Sequence, residues 1–256
     1  MNADELLRTD FDGNHVPSPY DVVEAGIGDP RHRERVPGLT AMLADDAASE
    51  NDRFLACYAL TAWAESAGYS AVIEAAAGGK EIPWYGILID RTYSVDNTFA
   101  HLAAAISDGE HLAPRKGTQA RRVEAVRALV RIADTEYFDG KLEYVLDDET
   151  TAAVIEDIRD VVRHGIRMLD EGERPGFDLA TQLVDLAAGA SSVDASTAVD
   201  LATQVIATAP HYRAMNHALA IVHRAKGSQG SAFGEYLKTI GDEKIRRQVD
   251  DVLNSR

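Results

Sequence analysis

The feature that most constrains the fold is a run of apolar side chains between residues 52 and 67, spaced three and four positions apart. This spacing places them along one face of an α-helix. The apolar positions are Phe54, Ala56, Cys57, Ala59, Leu60, Trp63 and Ala64. Because a helix with one broad apolar face must cover that face, we expect it to pack against neighbouring helices.

The same arrangement returns between residues 122 and 133. The corresponding apolar residues are Val123, Ala125, Ala128 and Leu129, which take the places of Phe54, Ala56, Ala59 and Leu60. An amphipathic helix that recurs along one chain is typical of proteins built from stacked helical repeats. The sequence therefore predicts an all-α array, with later helices over residues 151–169, 177–188, 194–208, 211–225, 232–240 and 242–253.

Short motifs around the two matching helices resemble the HEAT repeat, a helical repeat of the armadillo type. The matching runs are Leu43-Ala44-Asp45 before Arg53 and Ala59-Leu60, and Ile106-Ser107-Asp108 before Arg122 and Ala128-Leu129. The second copy has a longer turn, with an insertion near residues 109–116. The resemblance implies a right-handed superhelix of about four HEAT-like helical pairs, closed by C-terminal capping helices at residues 230–256.

The whole chain, residues 1–256, is predicted to form one α-solenoid domain with a flexible N-terminus at residues 1–16. Residues 78–94 interrupt the helical pattern, and the pattern leaves open whether this irregular insertion is a loop, a short helix or a strand. Its aromatic residues Trp84, Tyr85 and Tyr93 are candidate anchors for a protein partner, because large aromatic side chains dominate many interfaces. The alternative is that they pack beneath a loop.

Charge favours a basic partner. The formal net charge is -16 and the isoelectric point is near 4.8, which opposes direct contact with nucleic-acid phosphates or anionic membranes. Acidic residues cluster at two predicted turns, Asp45 and Asp46 at one and Asp147, Asp148 and Glu149 at the other. We expect these turns to attract a cationic protein; the alternative is that they cap helices and maintain solubility.

No motif for catalysis or metal binding is present in the sequence. None of the eight histidines lies in a His-x-x-x-His or His-Glu pattern, and no nucleophile or phosphate-loop motif occurs. The chain therefore lacks the His-Glu pairs on which HEAT-like deoxyhypusine hydroxylases depend. Its acidic composition also argues against the HEAT-like alkylpurine DNA glycosylases, which hold DNA with lysine and arginine side chains. The sequence predicts a non-enzyme without metal or cofactor. The rival hypothesis is an enzyme or small-ligand binder using residues 82–93, with Asp90 and Arg91 as its polar pair.

Size, acidity and repeat type also resemble the immunity proteins of bacterial polymorphic toxin systems. That resemblance implies a protein that neutralises a cognate toxin, which the charge predicts to be basic. A HEAT-type adaptor or regulatory scaffold is the alternative. A single cysteine, Cys57, on an apolar helical face fits a reducing compartment, and the N-terminus lacks a secretory signal, so we expect a cytoplasmic protein.

Overall fold

The structure is a computed structural model that describes residues 3–225 and 227–255. Within these residues it has fourteen α-helices and no strand beyond two isolated β-bridges. The all-α prediction is therefore confirmed. The helices are α1 (Ala3–Leu7), α2 (Pro19–Gly28), α3 (Val36–Ala44), α4 (Glu50–Ala62), α5 (Ser66–Gly78), α6 (Thr98–Asp108), α7 (Leu112–Lys116), α8 (Gln119–Val130), α9 (Asp148–Asp170), α10 (Leu179–Gly189), α11 (Ala195–Thr208), α12 (Tyr212–Arg224), α13 (Ser228–Ile240) and α14 (Glu243–Asn254).

The chain divides into two compact units, residues 1–129 and 130–256. In each unit, several helices that follow one another in sequence pack together, as stacked helical pairs require: α3 with α4 and α4 with α5 in the first, and α9 with α10 and α10 with α11 in the second. The handedness of a superhelix and the number of HEAT-like pairs stay predictions, as does the single-domain assignment.

Helix α4 is the centre of the first unit. It packs against α3, α5 and α6, and every side chain from Phe54 to Ala62 is buried. Its N-terminus is capped by Ser49, whose hydroxyl accepts a hydrogen bond from the Asp52 amide. The helix predicted from the apolar face at residues 52–67 is thus the core helix of this unit.

The helix ends at Ala62 rather than continuing to Ala67, because the backbone turns there. Ala64 has a φ of 56°, a left-handed conformation that an α-helix cannot contain. Trp63 is fully buried and donates its indole N–H to the Val23 carbonyl at 2.9 Å, which holds the turn against α2. Gly68 then lets α5 approach closely, since a Cβ there would lie 2.4 Å from the Thr61 amide nitrogen.

Lys116 ties the predicted insertion at residues 109–116 to this turn. Its ammonium donates to the Trp63 carbonyl at 2.7 Å, to the Glu65 carboxylate and to Nε2 of His32 at 2.8 Å. Burial lowers the pKa of the His32 imidazole, and the nearby Lys116 charge lowers it further, so a neutral ring accepts this bond. Lys116 therefore has a structural role.

The N-terminal segment packs on the same unit. Leu6 and Leu7 are buried, and the Arg35 guanidinium donates to the carbonyls of Leu6, Thr9 and Asp10 at 2.6–2.9 Å. The polar composition of residues 1–16 did not indicate these contacts.

Helix α10 is the centre of the second unit. It packs against α9, α11 and α12, and all its side chains except Asp185 are buried. Gln182, near the start of α10, reaches residues 133–138, a segment that precedes α9. Its Nε2 donates to the carbonyls of Ala133 and Glu136 at 2.6 and 2.8 Å, and its Oε1 accepts from the Phe138 amide at 2.8 Å. One side chain therefore holds three backbone groups of that segment.

Helices α13 and α14 pack against α12 and against each other. Their inner faces are apolar, with Phe233, Leu237, Ile245 and Val249 buried, whereas the outer face of α14 is charged. This amphipathic pattern is the one expected of a terminal pair of helices.

Candidate functional site

An apolar groove in the first unit is lined in part by the irregular insertion that was predicted to bind a partner. It encloses about 440 Å³ between the end of α3, helix α5 and the loop at residues 82–84. Its walls include Leu43, Ala44, Ala71, Ala75, Ile82 and Trp84. The groove therefore contains one of the three predicted aromatic anchors.

Trp84 forms part of the groove wall and is only 5% exposed. The guanidinium of Arg53 lies 5.8 Å from the centre of its ring, a distance at which a cation is attracted by the ring face. The indole N–H of Trp84 has no hydrogen-bond partner among the described residues. A buried donor left unpaired costs about 1–3 kcal/mol, so the loop is held in place by packing rather than by this group.

Arg53 connects the groove to the acidic turn at residues 45–46. Its guanidinium lies 3.1 Å from the Asp46 carboxylate, and its Nε donates to the Leu43 carbonyl at 3.3 Å. The Asp46 side chain is 94% exposed, so the ion pair is solvated and contributes little stability. The structure thus brings Trp84, about thirty positions further along the chain, close to Arg53 and its ion-pair partner Asp46.

Carboxylates lie at the edge of the groove and directly beside it. Glu74 lines it, is exposed, and has no ion-pair partner in the described part of the chain. Asp45 directly follows Ala44, a wall residue, and is also exposed; its carboxylate accepts a hydrogen bond from the Ala47 amide at 2.9 Å. A second arginine, Arg121, donates to the hydroxyl of the wall residue Ser70 at 3.0 Å. Among the described residues at the groove, the three carboxylates of Asp45, Asp46 and Glu74 therefore exceed the two guanidinium groups of Arg53 and Arg121 by one.

The other candidates from residues 85–93 do not line the groove. Tyr85 lies beside Phe99, with ring centres 6.5 Å apart. The Asp90 carboxylate accepts hydrogen bonds from the amides of Thr92 and Tyr93 at 2.9 and 2.7 Å, which folds its own turn. Arg91 is exposed on that turn, and Tyr93 is half-buried.

The acidic cluster at residues 147–149 lies in the second unit, at the start of α9. Asp147 is the N-cap, and its carboxylate accepts from the amide and the hydroxyl of Thr150 at 2.8 and 2.9 Å. Asp148 accepts from the Ser192 hydroxyl at 2.6 Å, and Glu149 is exposed. Asp147 therefore caps a helix, and partner binding by these three residues stays a prediction.

A second cavity in the first unit was not predicted from the sequence. It encloses about 500 Å³, and its walls include Tyr20, Glu24, Ile27, Tyr58, Asp108 and His111. The two tyrosine rings meet at 85° with centres 5.1 Å apart. The Tyr58 hydroxyl donates to the Asp108 carboxylate at 3.3 Å.

The surroundings of this cavity raise the pKa of two of its ionisable groups, Asp108 and Tyr58. Partial burial raises the pKa of Asp108, the Tyr58 hydrogen bond lowers it, and the neighbouring Glu24 carboxylate raises it again. Burial also raises the pKa of the Tyr58 hydroxyl well above its ordinary value, with the Asp108 charge adding to the effect. Perturbed acidic groups that face a cavity are candidates for a functional site.

Three histidines of the second unit pair with aspartates that are distant in sequence, and one of these pairs, His217–Asp185, joins helices α12 and α10. The pairs are His164–Asp134 at 2.6 Å, His217–Asp185 at 2.7 Å and His211–Asp178 at 3.3 Å. Across the described residues, no group of three or more His, Cys, Asp or Glu side chains has the arrangement of a metal site.

No protein-family model, curated protein or solved structure matches the chain. Among the described residues, no helix combines the length and the apolar composition required to cross a bilayer.

Proposed function

We propose that the chain is a non-catalytic protein-binding protein of the helical-repeat type, whose partner is a basic protein. The groove beside Trp84 is its proposed contact surface. The observation that carries this proposal is the combination of an apolar groove with an acidic edge, in a chain whose net charge is -16.

The groove suits a partner that combines an apolar side chain with neighbouring Lys or Arg residues. The apolar side chain can pack against Ala71, Ala75 and Trp84, which supplies the desolvated centre of a contact. The basic residues can approach Glu74 and Asp45 at the edge. Charges at an interface edge mainly raise the association rate and favour a partner of opposite charge. Because salt screens this attraction, binding is expected to weaken as salt is added.

A charge reversal at the groove edge tests this proposal. The partner is first captured from an extract of the source cells, identified by mass spectrometry and purified. Its dissociation constant is then measured for the wild type, for Glu74→Lys and for Glu171→Lys. Glu171 is an exposed carboxylate at the end of α9, so both variants change the net charge equally.

We expect Glu74→Lys to raise the dissociation constant at least about tenfold, and Glu171→Lys to change it less than about twofold. The wild-type constant should also rise between low and high salt. Equal losses in both variants would mean that net charge alone attracts the partner. Unchanged binding by Glu74→Lys, in a protein with wild-type helicity, would exclude the groove.

A narrower form of the proposal is an immunity protein whose partner is a basic bacterial toxin. The acidity and the helical construction support this hypothesis and the alternative, a HEAT-type adaptor or regulator, equally. Co-expression distinguishes the two hypotheses: an immunity protein restores growth to cells that produce the captured partner, and an adaptor does not.

An enzyme or small-ligand site at residues 82–93 has weaker support. It requires Asp90 to act with Arg91, whereas the Asp90 carboxylate already accepts two backbone hydrogen bonds in its own turn. We therefore propose no catalytic role for this pair.

A further inference from the structure

The cavity between α2, α4 and the end of α6 combines three features that together select a ligand. It is a concave space of about 500 Å³, two tyrosine rings form one corner of it, and two carboxylates, Glu24 and Asp108, face it. Ile27 adds an apolar wall. The cavity therefore differs from a solvated acidic surface, because aromatic and apolar side chains form part of its wall.

Among the described residues, neither carboxylate of the cavity has a lysine or arginine partner. No lysine or arginine is among the described residues that line it, and Glu24 has no ion pair in the described part of the chain. His111, at the cavity edge, lies 3.3 Å from Glu110 instead, with its side chain 79% exposed. Burial and the Glu24 charge both disfavour the ionised state of Asp108. A bound cation would remove that penalty.

The aromatic wall favours an organic cation over a bare ion. Ammonium and guanidinium groups are attracted to tyrosine rings as well as to carboxylates, and an alkyl stem can pack against Ile27. The Tyr58 hydroxyl donates to Asp108, which holds that carboxylate toward the phenol ring. The cavity can therefore offer a cation both a charged and an aromatic contact.

We propose that this cavity binds the ammonium or guanidinium head of a Lys or Arg side chain from the basic partner. The inference rests on the proposed function and names a second contact, separate from the Trp84 groove. The groove is tested by Glu74→Lys, so either contact can fail while the other holds.

Titration of the full chain with small probes tests the cavity directly. Nα-acetyl-lysine methylamide carries the proposed head group, Nα-acetyl-norleucine methylamide is its neutral counterpart, and spermidine represents a free polyamine. Binding is followed by NMR in protein with labelled tyrosine rings, with Tyr20→Phe and Tyr58→Phe used to assign the two signals. The test variant is Glu24→Gln with Asp108→Asn.

The control variant is Glu171→Gln with Asp200→Asn, two exposed carboxylates of the second unit. We expect the lysine probe, and not the norleucine probe, to shift the Tyr20 and Tyr58 signals saturably. The test variant should weaken this binding at least about tenfold, and the control less than about twofold. Glu24→Gln alone, at an exposed position, should weaken it about threefold, which keeps the test valid if the double variant is unstable.

The proposal is overturned if no saturable shift appears, if the norleucine probe binds equally well, or if the control variant weakens binding as much as the test variant. Spermidine binding more than about tenfold tighter than the lysine probe would identify a free polyamine as the ligand and overturn the assignment to a partner side chain.

Discussion

The contact of Gln182 with residues 133–138 gives a stability prediction that can be worked from distances. Gln182 is 6% exposed on α10, and its amide makes three hydrogen bonds to backbone groups at 2.6–2.8 Å. Gln182→Leu has a similar volume but can make none of them. The substitution leaves the carbonyls of Ala133 and Glu136 and the amide of Phe138 without their side-chain partner.

The expected cost follows from the number of groups affected. Each buried polar group that loses its partner costs about 1–3 kcal/mol, and leucine recovers part of this through apolar burial. We expect the free energy of unfolding to fall by about 3–5 kcal/mol, a large fraction of the 5–15 kcal/mol that is usual for a protein. The melting temperature should fall by about 10 °C.

Urea unfolding and amide hydrogen exchange check this prediction. The Phe138 amide, which donates to Gln182, should exchange faster in the variant, because the segment opens locally. Gln204→Leu is the matched control, since Gln204 is exposed on α11 and its amide bonds only the nearby Asp200 carbonyl among the contacts described. A loss below about 1 kcal/mol in Gln182→Leu, or unchanged exchange at Phe138, would refute the reasoning.

Two further predictions concern packing and pH. Gly26→Ala should lower the free energy of unfolding by about 1–3 kcal/mol, because its Cβ would lie 2.4 Å from the Trp63 indole nitrogen; an unchanged urea midpoint would contradict this. The hydrogen bond with Asp185 raises the pKa of His217. The stabilisation that protonated His217 supplies is therefore complete below the unfolded-state pKa and is lost as pH rises through the folded-state pKa. Burial raises the pKa of Asp185, so ionisation of this carboxyl also lowers stability as pH rises. The stability difference between the wild type and His217→Gln should therefore shrink from pH 6 to pH 8 in urea unfolding, and a difference that grows would contradict the assignment.

Much of the helical content could be predicted from apolar spacing. The spacing predicts helices over residues 151–169, 232–240 and 242–253, and the structure has α9, α13 and α14 at nearly these positions. The central helix of the first unit was also predicted, but not its end at Ala62. The apolar pattern continues through Trp63 and Ala64 because both are buried in the turn, so burial alone cannot mark where the helix stops.

The candidate sites were predicted only in part. Trp84 lines a groove, whereas Tyr85 packs beside Phe99 and Tyr93 lies in the turn that the Asp90 carboxylate folds. The tyrosine-walled cavity was missed altogether. Its residues come from three stretches of the chain that are tens of positions apart in sequence, and none of them belongs to a known binding motif.

The sequence by itself determined the helical class, the apolar faces and the overall acidity, since these depend on the order and type of residues within single segments. Only the tertiary structure decided which carboxylates stand alone and which are paired. Asp46 lies beside Arg53, whereas Glu24 and Asp108 meet in a cavity without a lysine or arginine among its described walls. The physical reason is that the field at a side chain is the sum over its neighbours in space, and packing between helices chooses those neighbours.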